Sequence, residues 1–100
     1  MPITKIASLS MNSKGWQCFL ELCSAVKDKD QLSELFDCLL TPEEKESIET
    51  RCLIVKALLD DNKPQRKIAE DLNVSIAKIT RGSNQLKRIS ADLRQFLLNH

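Results

Sequence analysis

The side chains with a capacity for chemistry are cations rather than nucleophiles. Residues 63–88 hold Lys63, Arg66, Lys67, Lys78, Arg81, Lys87 and Arg88 against only Glu70 and Asp71. The segment before it, 28–62, is acidic, with ten carboxylates against Lys29, Lys45, Arg51 and Lys56. The net charge is only +1, so the asymmetry amounts to a basic head on an acidic body, which suits a polyanionic partner. The sole histidine is His100, and Cys18, Cys23, Cys38 and Cys52 show no C-x-x-C spacing, so no metal site is expected. No nucleophile with a base, carboxylate pair or glycine-rich phosphate loop is recognisable. The chain is read as a binder, not an enzyme.

Two positions call for an occupant. Arg51 shares a helix side with Ile48, Val55 and Leu58, where a guanidinium needs an anion or a route to water. A carboxylate of the protein or a ligand would serve. Gly82 interrupts a helical pattern at a cost of roughly 0.8–1 kcal/mol relative to alanine, which implies a close approach to the backbone by a neighbouring helix or by a ligand. Arg81 and Gln85 share that flank. A flat molecule lying over Gly82 would meet a cation and an amide.

The elements that must position these residues are all helices. Two glycines, three prolines and an apolar fraction of 42% fit a folded helical chain. One hundred residues favour a single domain and leave a second subunit open, because so short a chain buries a smaller share of its surface. Met1 to Ser10 has no period and is read as a loose arm. Trp16, Phe19, Leu20, Cys23 and Val26 recur at three and four residues, predicting a helix over about 12–28; Leu32, Leu35, Phe36 and Leu39 predict a second. Thr41-Pro42-Glu43-Glu44 has the form of a capping box with proline in the first turn, starting a third helix that runs to about Asp60. Its second half, Cys52 to Leu59, is apolar almost all round, as in a helix enclosed on several sides. Residues 1–27 lack an apolar signal core, and no run approaches the roughly 18 residues of a membrane span. The expected setting is the cytoplasm, with four reduced cysteines.

After Asp61-Asn62-Lys63-Pro64 breaks the pattern, helices are predicted over about 65–72 and 76–89, with a last one capped by Ser90. Ile68, Ala69 and Leu72 give the first of these an inner face; Ile79, Ser83 and Leu86 give one to the second. Asn73 stands where the chain must turn, as a residue tolerant of left-handed angles, and Ser75 supplies a cap. Two short helices around so tight a turn form a helix-turn-helix, whose second helix enters the DNA major groove. Ala77, Lys78, Thr80 and Asn84 then face outward toward base edges and phosphates, and Arg66 with Gln65 reaches a phosphate. From the pattern alone, a helical hairpin that binds protein remains the alternative.

The stretches LLTPEEKESIETR, QRKIAEDL, ITRGSNQLK and LRQFL stand in an order and spacing that resembles the bacterial tryptophan repressors, over about residues 39–98. The resemblance implies an all-α fold of six helices, an intertwined homodimer with core helices in 12–60, a helix-turn-helix in 65–89 and a C-terminal helix in 90–99. It also implies L-tryptophan as corepressor, with Arg51 and Arg81 flanking the indole, one of them pairing with the carboxylate, and Gly82 giving it room. Main-chain carbonyls at Cys38 and Leu40 of the other subunit would meet the amino group, with Thr41 close by and Gln85 as a further acceptor. Arg66, Ile76, Ala77, Lys78, Thr80 and Lys87 fall at the family's DNA contacts. Gln85, Lys78 and Asn73 replace a common serine, threonine and glycine. The implied function is a transcriptional repressor of tryptophan supply genes acting on double-stranded operator DNA. The alternative is a regulator of the same fold that takes another small ligand or none.

Overall fold

A computed structural model describes residues 13–60 and 62–100, and the regular elements among them are α-helices: α1 Lys14–Ala25, α2 Lys29–Leu39, α3 Pro42–Leu58, α4 Gln65–Leu72, α5 Ile76–Leu86 and α6 Ala91–Leu98. The predicted order of six helices holds among the described residues; the N-terminal arm and the predicted start at residue 12 lie outside them. The chain divides into two compact units, Met1–Thr41 and Pro42–His100.

In the first unit, α1 ends at Ala25, before the predicted residue 28, because Val26 turns extended at φ −65° and ψ 147°. The chain restarts at Asp28, whose carboxylate accepts from the Gln31 N–H at 2.9 Å, while Gln31 Oε1 accepts from the Lys27 N–H at 2.7 Å. This near-reciprocal pair, close to a capping box, satisfies two backbone donors at the helix entrance. Phe19 packs between Trp16 and Phe36, with ring centroids 5.3 Å and 6.0 Å away. Neither helix contributes a buried residue.

The second unit is built around Ile54, Ile68, Ala69 and Ile79, all buried, with Ala57, Leu58, Leu72 and Val74 packed against them. Fully burying each isoleucine is worth about 1.5–3 kcal/mol, and these three come from α3, α4 and α5 respectively, so one small cluster fixes three helices. The predicted inner faces are confirmed: Ile68, Ala69, Ile79 and Leu86 are buried, and Leu72 and Ser83 are half-buried. Between α4 and α5, Asn73 adopts φ 55° and ψ 48°, and the Val74 N–H reaches back to the Ala69 carbonyl at 3.0 Å. That closure of a left-handed helix end turns the chain without leaving its last carbonyls bare. Ser75 and Ser90 then cap α5 and α6, their side chains accepting from the Lys78 and Leu93 N–H groups at 3.3 Å and 3.1 Å.

Helix α5 stops at Leu86 rather than at residue 89. Its end is held from outside: Arg94 Nη2 donates to the Leu86 carbonyl at 3.2 Å. At the far end of α6, Lys56 Nζ donates to the Leu97 carbonyl at 3.1 Å. Cations at the carbonyl ends of helices satisfy orphan acceptors and complement the helix dipole. They tie α6 to both α5 and α3.

Candidate binding cleft and hairpin surface

The two approaches to Gly82 left open by the sequence are distinguished by the packing of α5 on α3. A Cβ at Gly82 would lie 3.0 Å from Ile54 Cγ2 and 3.3 Å from Leu58 Cδ1. Closer than ordinary van der Waals contact, these distances mean that the neighbouring helix is what needs the glycine. Gly82 also lines a cleft of about 690 Å³ between the same helices. Helix α5 supplies Lys78, Arg81, Gly82 and Gln85 to it, and α3 supplies Thr50, Arg51, Ile54 and Val55, with Glu43, Glu46 and Ser47 toward its N-terminus. The helices are thus pinned at the glycine and the cleft extends along α3 from that contact. Its volume falls in the range of small-ligand pockets.

The cleft chemistry is mixed. Arg51, Arg81 and Lys78 set three cations around it, Glu43 and Glu46 set two carboxylates, and Ile54 and Val55 give an apolar wall. Among the described residues neither Arg51 nor Arg81 is ion-paired, so the intrachain carboxylate considered for Arg51 is not its partner. The cleft thus offers guanidinium groups, whose fork matches a carboxylate, beside an apolar wall.

The outer surface of the hairpin carries the other predicted residues. Gln65, Arg66, Ile76, Ala77, Lys78, Thr80, Asn84 and Lys87 are all exposed. Gln65 and Thr80 are joined, Thr80 Oγ1 donating to Gln65 Oε1 at 3.2 Å. The basic residues separate into two groups. Lys63 and Lys67 both pair with Asp71, at 3.6 Å and 3.3 Å, whereas Arg66, Lys78 and Lys87 form no ion pair among the described residues. Lys78 belongs to both surfaces, since it lines the cleft from the first turn of α5.

Sequence reasoning thus anticipated four cleft residues, Arg51, Arg81, Gly82 and Gln85, and missed Thr50, Ile54 and the acidic pair on α3. Helical spacing could have found them, because Glu43, Ser47, Thr50 and Ile54 recur at four, three and four residues and so share the side that Arg51 borders. Cys38, Leu40 and Thr41 belong to the first unit. Cys38 is exposed in the last turn of α2, and Leu40 follows that helix in an extended conformation, its N–H bonded to the Phe36 carbonyl at 2.8 Å.

An all-α chain with a helix-turn-helix hairpin and a charged cleft behind its second helix falls in the class of helix-turn-helix proteins. The family model described as Trp repressor protein matches residues 14–100, and the chain belongs to that family. It is 49% identical over 88 residues to a Trp operon repressor homolog of Chlamydia caviae, covering 88% of this chain and 87% of the relative. The homolog from Chlamydia trachomatis serovar D is 42% identical over 88 residues, covering 88% and 94%. That of Haemophilus influenzae is 37% identical over 92 residues, covering 92% and 91%. The match includes α1 and α2, outside the stretches that carry the resemblance.

Proposed function

We propose that the chain is an operator-binding repressor whose DNA affinity is raised by L-tryptophan held in the α3–α5 cleft. The observation that carries this reading is the placement of Arg51 and Arg81, unpaired within the described residues, on the two walls of a cleft pinned by Gly82 against Ile54. Arg51 and Arg81 flank the indole and one takes the tryptophan carboxylate, while Gln85 Oε1 accepts from the amino group. The family resemblance adds the carbonyls at Cys38 and Leu40 of a second copy, near Thr41, as further acceptors. Ile76, Ala77, Thr80 and Asn84 meet the major groove, with Gln65 hydrogen-bonded to Thr80 at its edge, and Arg66, Lys78 and Lys87 meet phosphates.

The position of the cleft supports such gating. The cleft lies between α3 and the helix that reads DNA, so a ligand filling it sets how that helix is held. If two copies form a two-fold dimer, their reading helices must match half-sites about 34 Å apart, and a ligand that binds the matching arrangement more tightly raises DNA affinity, at most by its preference for that arrangement. The test is fluorescence anisotropy on a duplex selected from a random pool, with and without L-tryptophan at fixed salt. Affinity should rise at least tenfold with ligand; an unchanged value overturns the switch. Arg81→Ala should weaken tryptophan binding in calorimetry by roughly tenfold or more, as expected for a charge-assisted hydrogen bond.

Gln85 and Lys78, both lining the cleft, support a second reading in which the ligand is a different small molecule. Calorimetric competition among tryptophan, tryptamine and other amino acids separates the two.

A further inference from the structure

The hydrogen bond between Gln65 and Thr80 spans fifteen residues of sequence and joins the first residue of α4 to the fifth of α5, both exposed. A threonine hydroxyl has one proton to donate and two lone pairs to offer. Free to rotate, it would donate to a guanine or thymine oxygen as readily as it accepted from an adenine or cytosine amino group. Here its proton is committed to Gln65 Oε1, so toward solvent it offers acceptor capacity only. The same bond takes one lone pair of the glutamine carbonyl and turns that oxygen toward Thr80, leaving the two Nε2 protons as donors.

We infer that Gln65 and Thr80 act as one specificity-determining unit that selects adenine at one position of each half-site. The inference rests on the DNA-binding reading above. An adenine edge in the major groove pairs an acceptor, N7, with a donor, N6; guanine presents two acceptors at the corresponding places. Thr80 Oγ1 as acceptor and Gln65 Nε2 as donor complement the adenine edge, and guanine O6 would face the hydroxyl's lone pairs. Ala77, one turn before Thr80 on α5, is exposed and carries only a methyl group, leaving room for a base edge to approach. A lone glutamine reads adenine with its own amide; here the carbonyl half of that recognition is passed through the bond to the threonine hydroxyl.

The experiment uses the full chain saturated with L-tryptophan and a pool of duplexes with randomised two-fold half-sites, sequenced after selection. The wild-type protein should enrich adenine over guanine at one position per half-site by about tenfold, the order given by a good bidentate base contact. Gln65→Ala should keep a thermal midpoint near that of the parent and lose that preference, whatever its overall affinity for the pool. Thr80→Val should lose it too, and Thr80→Ser, which keeps the hydroxyl, should retain it. If both disruptive variants weaken binding to every duplex alike and leave the enriched sequence unchanged, the bond only braces the hairpin and the inference is overturned. If the wild-type protein enriches no sequence, it falls together with the DNA-binding reading.

Discussion

Gly82 illustrates how much a single residue can decide. Glycine in a helix is disfavoured by roughly 1 kcal/mol against alanine, so Gly82→Ala would stabilise α5 if nothing lay beside it. What lies beside it is Ile54 Cγ2, at 3.0 Å from the added carbon, on a side chain that is only 3% exposed and stiff at χ1 through its β-branch. Overpacking of this kind costs about 1–3 kcal/mol, so the steric term offsets or exceeds the propensity gain. Gly82→Ala should be neutral to destabilising in chemical denaturation, and Gly82→Val clearly destabilising. The coupling is the sharper measurement. Ile54→Ala alone leaves a cavity, at about 2–5 kcal/mol, and Gly82→Ala made in that background should be less harmful than in the parent by about 1 kcal/mol. Strict additivity would show that the two residues do not touch in solution. Intrinsic propensity marked the glycine in the sequence, but it could not say whether a helix or a ligand came close. That depends on the separation of α3 and α5, which no local pattern contains.

At the scale of the elements, the helix starts were more legible than the helix ends. Ser75 and Ser90 cap where a hydroxyl precedes an apolar period, and Asn73 turns left-handed where a short polar residue interrupts two inner faces. These are interactions within three or four residues. The end of α5 at Leu86 was not legible, because it is closed by Arg94, eight residues later, after an intervening turn whose course the sequence leaves undetermined. The Asp28 and Gln31 cap was within reach, since an acidic residue followed by glutamine three positions on is a recognised helix start. Arg94 gives the element-scale prediction. Its guanidinium holds a partly buried carbonyl, a charged hydrogen bond worth about 1.5–3 kcal/mol. Arg94→Met should lower stability by about that amount and increase amide exchange in the last turn of α5. Arg94→Lys should recover part of the loss. Equal stability of the parent and Arg94→Met would show that solvent serves the Leu86 carbonyl as well.

For the whole molecule the decisive quantity is the apolar surface left uncovered. The buried hydrophobic side chains among the described residues are Ile54, Ile68, Ala69, Ile79 and Leu86, all in the second unit. Trp16 is 61% exposed, Leu53 55% and Phe96 54%, with Leu20, Leu39, Ile48 and Leu93 also exposed. The near-continuous apolar run in the second half of α3 therefore buries Ile54 and leaves Leu53 to water, which is the arrangement expected of a helix still waiting for a partner on its other side. Five fully buried side chains among the described residues are few against the conformational entropy of ordering a chain of this length, and the proposed homodimer would add burial by covering the apolar faces of the helices. Such coupling has a thermodynamic signature: when folding and association are one transition, the melting midpoint rises with protein concentration. For a dimer of two chains this size the rise should be roughly 3 °C for each tenfold increase. Leu53→Asp, which places a charge on the exposed side of α3 without touching the cleft, should lower the midpoint at every concentration and shift sedimentation toward the monomer mass. A midpoint independent of concentration, with the parent sedimenting as a monomer, would mean that these helices stand uncovered in solution and that the two reading heads are not held by a shared core.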